Sequence, residues 1–231
     1  MPVNNPILER YDPDLNFIPQ INCEYFSDND LMRFNSTNLG LSLLHANVRS
    51  ATRNLTTLLD TLYVTNSKFS ILSFTETWLN QHNFYNSDIP GYTHIGIHRE
   101  NRRGGGVSLH LDNHLVFKER TDLSLSYPHF ESIFAEILPS TINKVPIIVG
   151  TIYRPPNSSV DAFMDTLTQV LERLETQTHV SCYITGDFNL DLAKCDTNSD
   201  AQSFLDLMHS NSLIPLINKP TRTTDTSETI I

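Results

Sequence analysis

Asn47, Glu76, Tyr153, Asp187 and Asn189 share one placement: each stands at, or just after, the carboxyl end of a short apolar run. Such strand ends are rigid supports from which side chains converge on one pocket. The residue types suit hydrolysis of a phosphodiester. Carboxylates can hold a divalent cation against phosphate charge and can orient or deprotonate water, and amides and phenols donate to phosphate oxygens. Oxygen ligands favour Mg²⁺ or Mn²⁺ over zinc. Taken singly, each residue has a plainer reading. Glu76 is then an exposed strand-end carboxylate, Asn47 a cap or turn residue, and Asp187 with Asn189 an Asx-turn after Gly186. The chemistry rests on the joint pattern.

The elements that must position these residues are visible as periodicities. Leu41–Val48 reads as a strand ending near Asn47, and Phe69–Thr75 as a second strand running into Glu76. Between them Leu55, Leu58, Leu59 and Leu62 mark one face of a helix, with Ser50 as its N-cap. Strand-like runs follow at Tyr92–His98, Val107–Leu111, His114–Lys118, Phe130–Leu138 and Val145–Tyr153, the last stopped by Pro155-Pro156. A second helical stripe, Phe163, Leu167, Val170, Leu171 and Leu174, takes Ser159 as its N-cap. Val180–Gly186 is a further buried strand, and Phe204, Leu205 and Met208 suggest a third helix. The middle run of strands without helices argues against a doubly wound parallel sheet. It predicts an α/β fold of two mostly antiparallel sheets packed face to face, with helices outside.

Composition bounds the rest. The 231 residues are 39% hydrophobic and 18% charged, a globular balance, and residues 1–38 read as a polar N-terminal lead-in. No apolar run approaches a membrane span and the N-terminus lacks the regions of a signal peptide. A nuclear or cytoplasmic protein is therefore expected, neither secreted nor membrane-bound. The three cysteines form no C-x-x-C pair, which speaks against a disulfide framework or structural zinc, and Cys182 reads as a small core hydrophobe. His94/His98 and His110/His114 are explained by strand alternation. A net charge of −10 argues against non-specific nucleic-acid binding. Even so, Arg49, Arg53, Arg99, Arg102, Arg103, Arg154, Lys219 and Arg222 fall beside the motifs and can form a basic rim.

His45-Ala-Asn47-Val-Arg49-Ser50, Thr75-Glu76-Thr77-Trp78-Leu79, Arg103-Gly-Gly-Gly106-Val107, Tyr153-Arg154-Pro155-Pro156 and Gly186-Asp187-Phe188-Asn189 occur in that order. Together they resemble the endonuclease/exonuclease/phosphatase superfamily. Within it the likeness is to the apurinic-endonuclease-like domain of non-LTR retrotransposon polyproteins, a branch that Lys219-Pro220-Thr221-Arg222 also fits. The resemblance spans roughly residues 40 to 231.

It implies a four-layer α/β sandwich over residues 39–231 with its site at one rim. Glu76 would bind Mg²⁺ or Mn²⁺ with Asn47 beside it, and Tyr153 would bond the scissile phosphate. Asp187 would orient or activate the attacking water, and Asn189 would position phosphate or water. Arg154, Thr221 and Arg222 would meet substrate at a DNA-facing rim, and the 102–106 loop would shape the core edge. The implied partner is DNA, with a reverse transcriptase downstream in a parent polyprotein. The family also carries an Asp and a Ser-Asp-His sequence beyond the stretch matched by Thr221–Ile231. On that comparison the domain is expected to be C-terminally truncated and to cleave DNA poorly or not at all alone. A silent remnant and a phosphoesterase for small-molecule or lipid phosphates are the competing expectations.

Overall fold

A computed structural model describes residues 23–34, 40–99, 104–140, 144–177, 180–223 and 228–231. Arg102, Arg103 and most of the 1–38 lead-in lie outside the described residues. Phe26–Phe188 forms one unit, and Met1–Tyr25 with Asn189–Ile231 forms another.

The larger unit runs α1 (Asp28–Phe34), β1 (Leu43–Asn47), α2 (Ala51–Val64), β2 (Ile71–Thr75), β3 (Tyr92–Ile97), β4 (Val107–Asp112), β5 (Phe117–Glu119), β6 (Leu125–Tyr127), β7 (Phe130–Ile137), β8 (Ile147–Tyr153), α3 (Val160–Glu175) and β9 (Ser181–Asp187). One sheet has the order β1-β2-β4-β3 and the other β5-β7-β8-β9, with β6 paired to β7. Only β1–β2 and β8–β9 are parallel in these sheets. Two mostly antiparallel sheets are thus present.

Strand alternation sorts the side chains into layers. In β2, Ile71 joins the core shared with Ile133, Ala135, Ile137 and Val149 of the opposite sheet. Leu72 and Phe74 point the other way, into the cluster formed with Leu55 and Leu62 of α2. Leu58 and Leu59 pack partly buried on the same cluster, so the expected apolar stripe faces the sheet. On the other side, Phe163 of α3 packs on Phe130 and Phe188 at centroid distances of 5.5 and 6.4 Å. The order is helix, sheet, sheet, helix. Between the sheets, Ser73 Oγ meets Thr151 Oγ1 at 2.8 Å and Thr185 Oγ1 at 2.7 Å. These directional contacts lie two residues before Thr75, Tyr153 and Asp187, and so pin sheet against sheet just beneath the strand ends.

The helix caps divide. Ser159 Oγ accepts from Ala162 N at 3.2 Å, the bond expected of an N-cap. Ser50 does not cap α2 with its side chain; it is buried with φ of 91°, and its hydroxyl meets Thr52 Oγ1 instead. The expected His114–Lys118 strand is displaced to β5. Asp112 Oδ1 accepts from His114 N at 2.9 Å and makes that segment a turn. The short β6 was not anticipated; its three residues carry too little alternation to stand out.

The smaller unit holds α4 (Ser199–Ser210) and a two-stranded ribbon of β10 (Arg222–Thr223) and β11 (Glu228–Thr229). Asn198 caps α4, accepting from Asp200 N and Ala201 N. Phe204 and Leu205 are buried and Met208 is half-buried.

His94 and His110 face each other across β3 and β4, with rings stacked at 4.3 Å and 7°. Phe84 stacks on His94, and Phe74 tilts against His110. Burial, and then the neighbouring His94, push His110 down to about 3. Burial also lowers His94, against the opposing pull of Asp88. Both are therefore neutral in the fold at pH values where an unfolded histidine takes up a proton. The unfolded chain then binds more protons between about pH 6.5 and 3, so stability falls as pH falls through that window. Urea midpoints should be level above about pH 7 and decline below about 6.5. His110→Gln, which keeps a donor for Ser87 O but cannot titrate, should flatten that decline.

Candidate active site

The carboxyl ends of four strands meet at one rim of the larger unit. In register, Asn47 lies beside Thr75 in the β1–β2 pair, and Tyr153 beside Asp187 in the β8–β9 pair. Glu76 follows Thr75 directly. One side chain ties the two sheets together here. Asn47 Nδ2 donates to Glu76 Oε1 at 3.0 Å and to Asp187 Oδ2 at 2.7 Å. Its Oδ1 accepts from Arg49 N at 3.2 Å, which fixes the amide so that nitrogen faces the two carboxylates. The second oxygen of Glu76 accepts from Trp78 Nε1 at 3.3 Å.

Local backbone explains why these residues sit where they do. Glu76 and Trp78 have φ of 52° and 54°, and Arg49 and Ser50 of the facing loop 43° and 91°. Left-handed non-glycine residues are uncommon and persist where surroundings over-determine them. The two loops supply that constraint by bonding to each other: Val48 N to Thr75 O, Ser50 N to Glu76 O and Ala51 N to Thr77 O, at 3.1, 2.8 and 2.8 Å. Gly186, one residue before Asp187, runs so close to Ile152 of β8 that a Cβ would fall on its carbonyl oxygen. Only glycine allows β9 to deliver Asp187 at this spacing.

Tyr153 is buried at the same rim. Burial raises its phenol pKa, and the charges of Glu76 and Asp187 raise it further, with Arg99 opposing. The phenol is therefore a proton donor at neutral pH, the form that can hydrogen-bond a phosphate oxygen. Asp187 is 5% exposed, so its carboxylate depends on its hydrogen-bond donors.

The structure brings Asn47, Glu76, Tyr153 and Asp187 together. It places Arg154 differently from the substrate contact expected of it. Arg154 is 3% exposed, and its guanidinium donates to Phe188 O, Pro155 O and Ser158 O, so it braces the loop after β8. Arg99 likewise is no free rim cation; its Nε pairs with Glu131. Arg49 and Arg53 are exposed on the Asn47 side of the rim. Asn189, Thr221 and Arg222 belong to the smaller unit. Asn189 has φ of 49°, a conformation that Asn tolerates. Thr221 N bonds Thr229 O at 2.9 Å, and Arg222 is exposed on β10 opposite Thr229.

Sequence reading does not single out Glu131. Its signal is register: Glu131, Ile133, Ala135 and Ile137 share the inward face of β7, so an acidic residue stands at an apolar position. It is 0% exposed, and its Oε2 accepts from Gly106 N at 2.6 Å.

Among the described residues no group of three or more His, Cys, Asp or Glu side chains forms a metal cage. The available oxygen donors are the Glu76 and Asp187 carboxylates, which the Asn47 amide orients through its nitrogen. They fit a small hard divalent cation that keeps several of its waters.

A family model described as endonuclease-reverse transcriptase matches residues 147–231. No curated protein matches the chain. Among solved structures, the chain is similar to the AP endonuclease LMAP of Leishmania major, with a TM-score of 0.54 and 15% identity over 74% of this chain and 66% of that one. It is also similar to the human Nocturnin catalytic domain, with a TM-score of 0.51 and 13% identity over 71% and 68%. A humanized TDP2 from D. rerio gives 0.51 and 14% over 77% and 69%. The chain thus spans less than two thirds of the first of these structures. At such identities the likeness shows the fold.

The Asn47 bridge can be tested by stability. Asn47→Leu takes from the buried Asp187 carboxylate one of its donors, at a cost on the order of 1–3 kcal/mol. Urea unfolding of the two proteins should show that loss, and an unchanged midpoint would mean that the bridge carries no energy.

Proposed function

We propose that the chain is a metal-dependent phosphodiester hydrolase of the endonuclease/exonuclease/phosphatase superfamily, the DNA-nicking endonuclease domain of a non-LTR retrotransposon; the family model over residues 147–231 and the shared fold support this reading. The observation that carries this is the Asn47 amide held between the Glu76 and Asp187 carboxylates, with the Tyr153 phenol on the same rim. The family model's description, endonuclease-reverse transcriptase, supports the retrotransposon reading. DNA is the substrate class we assign, and an AP endonuclease stands among the similar folds.

In this reading Glu76 would hold Mg²⁺ or Mn²⁺, with Asn47 beside it orienting the carboxylates. When bound, the cation neutralises phosphate charge and acidifies water. The chain's own residues do the rest. Tyr153, kept protonated, donates to a non-bridging phosphate oxygen. Asp187 accepts a proton from the attacking water, with Asn47 fixing its orientation. For Asn189, Thr221 and Arg222, which belong to the smaller unit, the roles of positioning phosphate or water and of meeting DNA rest on the family resemblance alone. Arg49 and Arg53 supply positive charge beside Asn47, which offsets the net −10 of the chain locally. We place the protein in the nucleus or cytoplasm on the same reading.

The test is single-turnover relaxation of supercoiled plasmid with protein in excess, which registers slow nicking. Nicking is expected with Mg²⁺, is expected to be lost with EDTA, and should fall about 10²–10⁴-fold in Asp187→Ala. Hydrolysis of small phosphate esters or phosphoinositides with no action on DNA would replace this reading with a phosphoesterase. Inertness on all of them would leave a silent remnant.

A further inference from the structure

We propose that Glu131 is a positioning residue for the Glu76 site, acting through Gly105-Gly106 and not by touching substrate or metal. The proposal rests on the reading of Glu76 as a metal ligand. The path is continuous. Glu131 Oε1 accepts from Arg99 Nε, and its Oε2 accepts from Gly106 N at 2.6 Å. Gly106 O in turn accepts from Thr77 N at 3.2 Å, and Gly105 O from Trp78 N at 2.9 Å. Those two amides follow Glu76 directly, and the Trp78 indole reaches back to the Glu76 carboxylate.

Both faces of the Gly105-Gly106 segment are filled. A Cβ on Gly105 would fall on the Arg99 guanidinium, and one on Gly106 would fall on Thr77 Oγ1. Their φ values of 68° and 88° exclude most other residues as well. Glu131 itself is 0% exposed and stands opposite Tyr153 in the β7–β8 pair. A buried ion pair adds little stability by itself. What this pair fixes is therefore its informative property. It secures from one sheet the loop that holds the left-handed Glu76 and Trp78 of the other.

Trp78 is the single tryptophan of the chain, so its fluorescence reports this site alone. The experiment compares wild type, Glu131→Gln and Arg99→Lys in the full chain, each first shown to be folded by circular dichroism and a cooperative urea transition. Without metal, Trp78 emission should shift to the red and acrylamide quenching should rise in Glu131→Gln. With Mn²⁺ as a paramagnetic quencher, its midpoint should rise about 10–100-fold. Arg99→Lys leaves the Gly106 bond in place and should show the same changes in smaller measure, and it decides the matter if Glu131→Gln does not fold. A purely structural role would lower the urea midpoint while leaving Trp78 emission and the Mn²⁺ midpoint of the folded protein unchanged; that result overturns the proposal. Wild-type quenching that is indifferent to Glu76→Gln would instead sink the metal reading. The metal-free Trp78 comparison still decides whether Glu131 positions the loop.

Discussion

Two carboxylates held at one sheet rim repel each other, and the Asn47 amide resolves that conflict. It donates to both and adds no charge. The bond also imposes a geometric demand, because Asn47 and Glu76 come from one sheet and Asp187 from the other. A slip of one residue in any strand would turn the required side chain to the opposite face. The registers that place Asn47 beside Thr75 and Tyr153 beside Asp187 therefore have to hold together with the packing of sheet on sheet. The Ser73, Thr151 and Thr185 hydroxyls, two residues beneath, supply directional contacts that apolar packing lacks.

Strain is concentrated in the same place. Arg49, Ser50, Glu76 and Trp78 all occupy left-handed backbone, at a typical cost of order 1–3 kcal/mol each. The surrounding bonds come from three directions: the facing loop after β1, the Gly105-Gly106 segment, and Glu131 behind it. A carboxylate aimed by such a frame loses little freedom when it binds a cation, which is the physical content of preorganisation.

Much of this frame was legible in the residues. The leucine stripe of α2, the aromatic and aliphatic stripe of α3 and the apolar runs of β2, β8 and β9 follow from periodicity, because burial on one face or both writes itself into local sequence. The clustering of Asn47, Glu76, Tyr153 and Asp187 followed from their shared strand-end placement. Ser50 stands at the N-cap position, but its hydroxyl bonds Thr52 and not the helix end, and Arg154, of a type suited to a phosphate contact, turns to backbone carbonyls; tertiary packing buries both. Glu131 was missed because its meaning lies in partners at Arg99 and Gly106, which only sheet pairing brings near.

The charges around Tyr153 show how the rim keeps its chemical character. Glu131, Glu76 and Asp187 all act to raise the phenol pKa, but they are compensated differently. Glu131 is matched inside the core by Arg99, so its charge is settled when the chain folds. Glu76 is held by Asn47 and by the Trp78 indole, both neutral, and its carboxylate is half-exposed. Neutral donors orient an anion without cancelling it. The negative charge at this rim is thereby retained in a fixed geometry. On the proposed metal-dependent reading, a lysine or arginine in place of Asn47 would satisfy the same carboxylates and remove the reason for a divalent cation to bind. The amide at position 47 orients both carboxylates and leaves their charge in place.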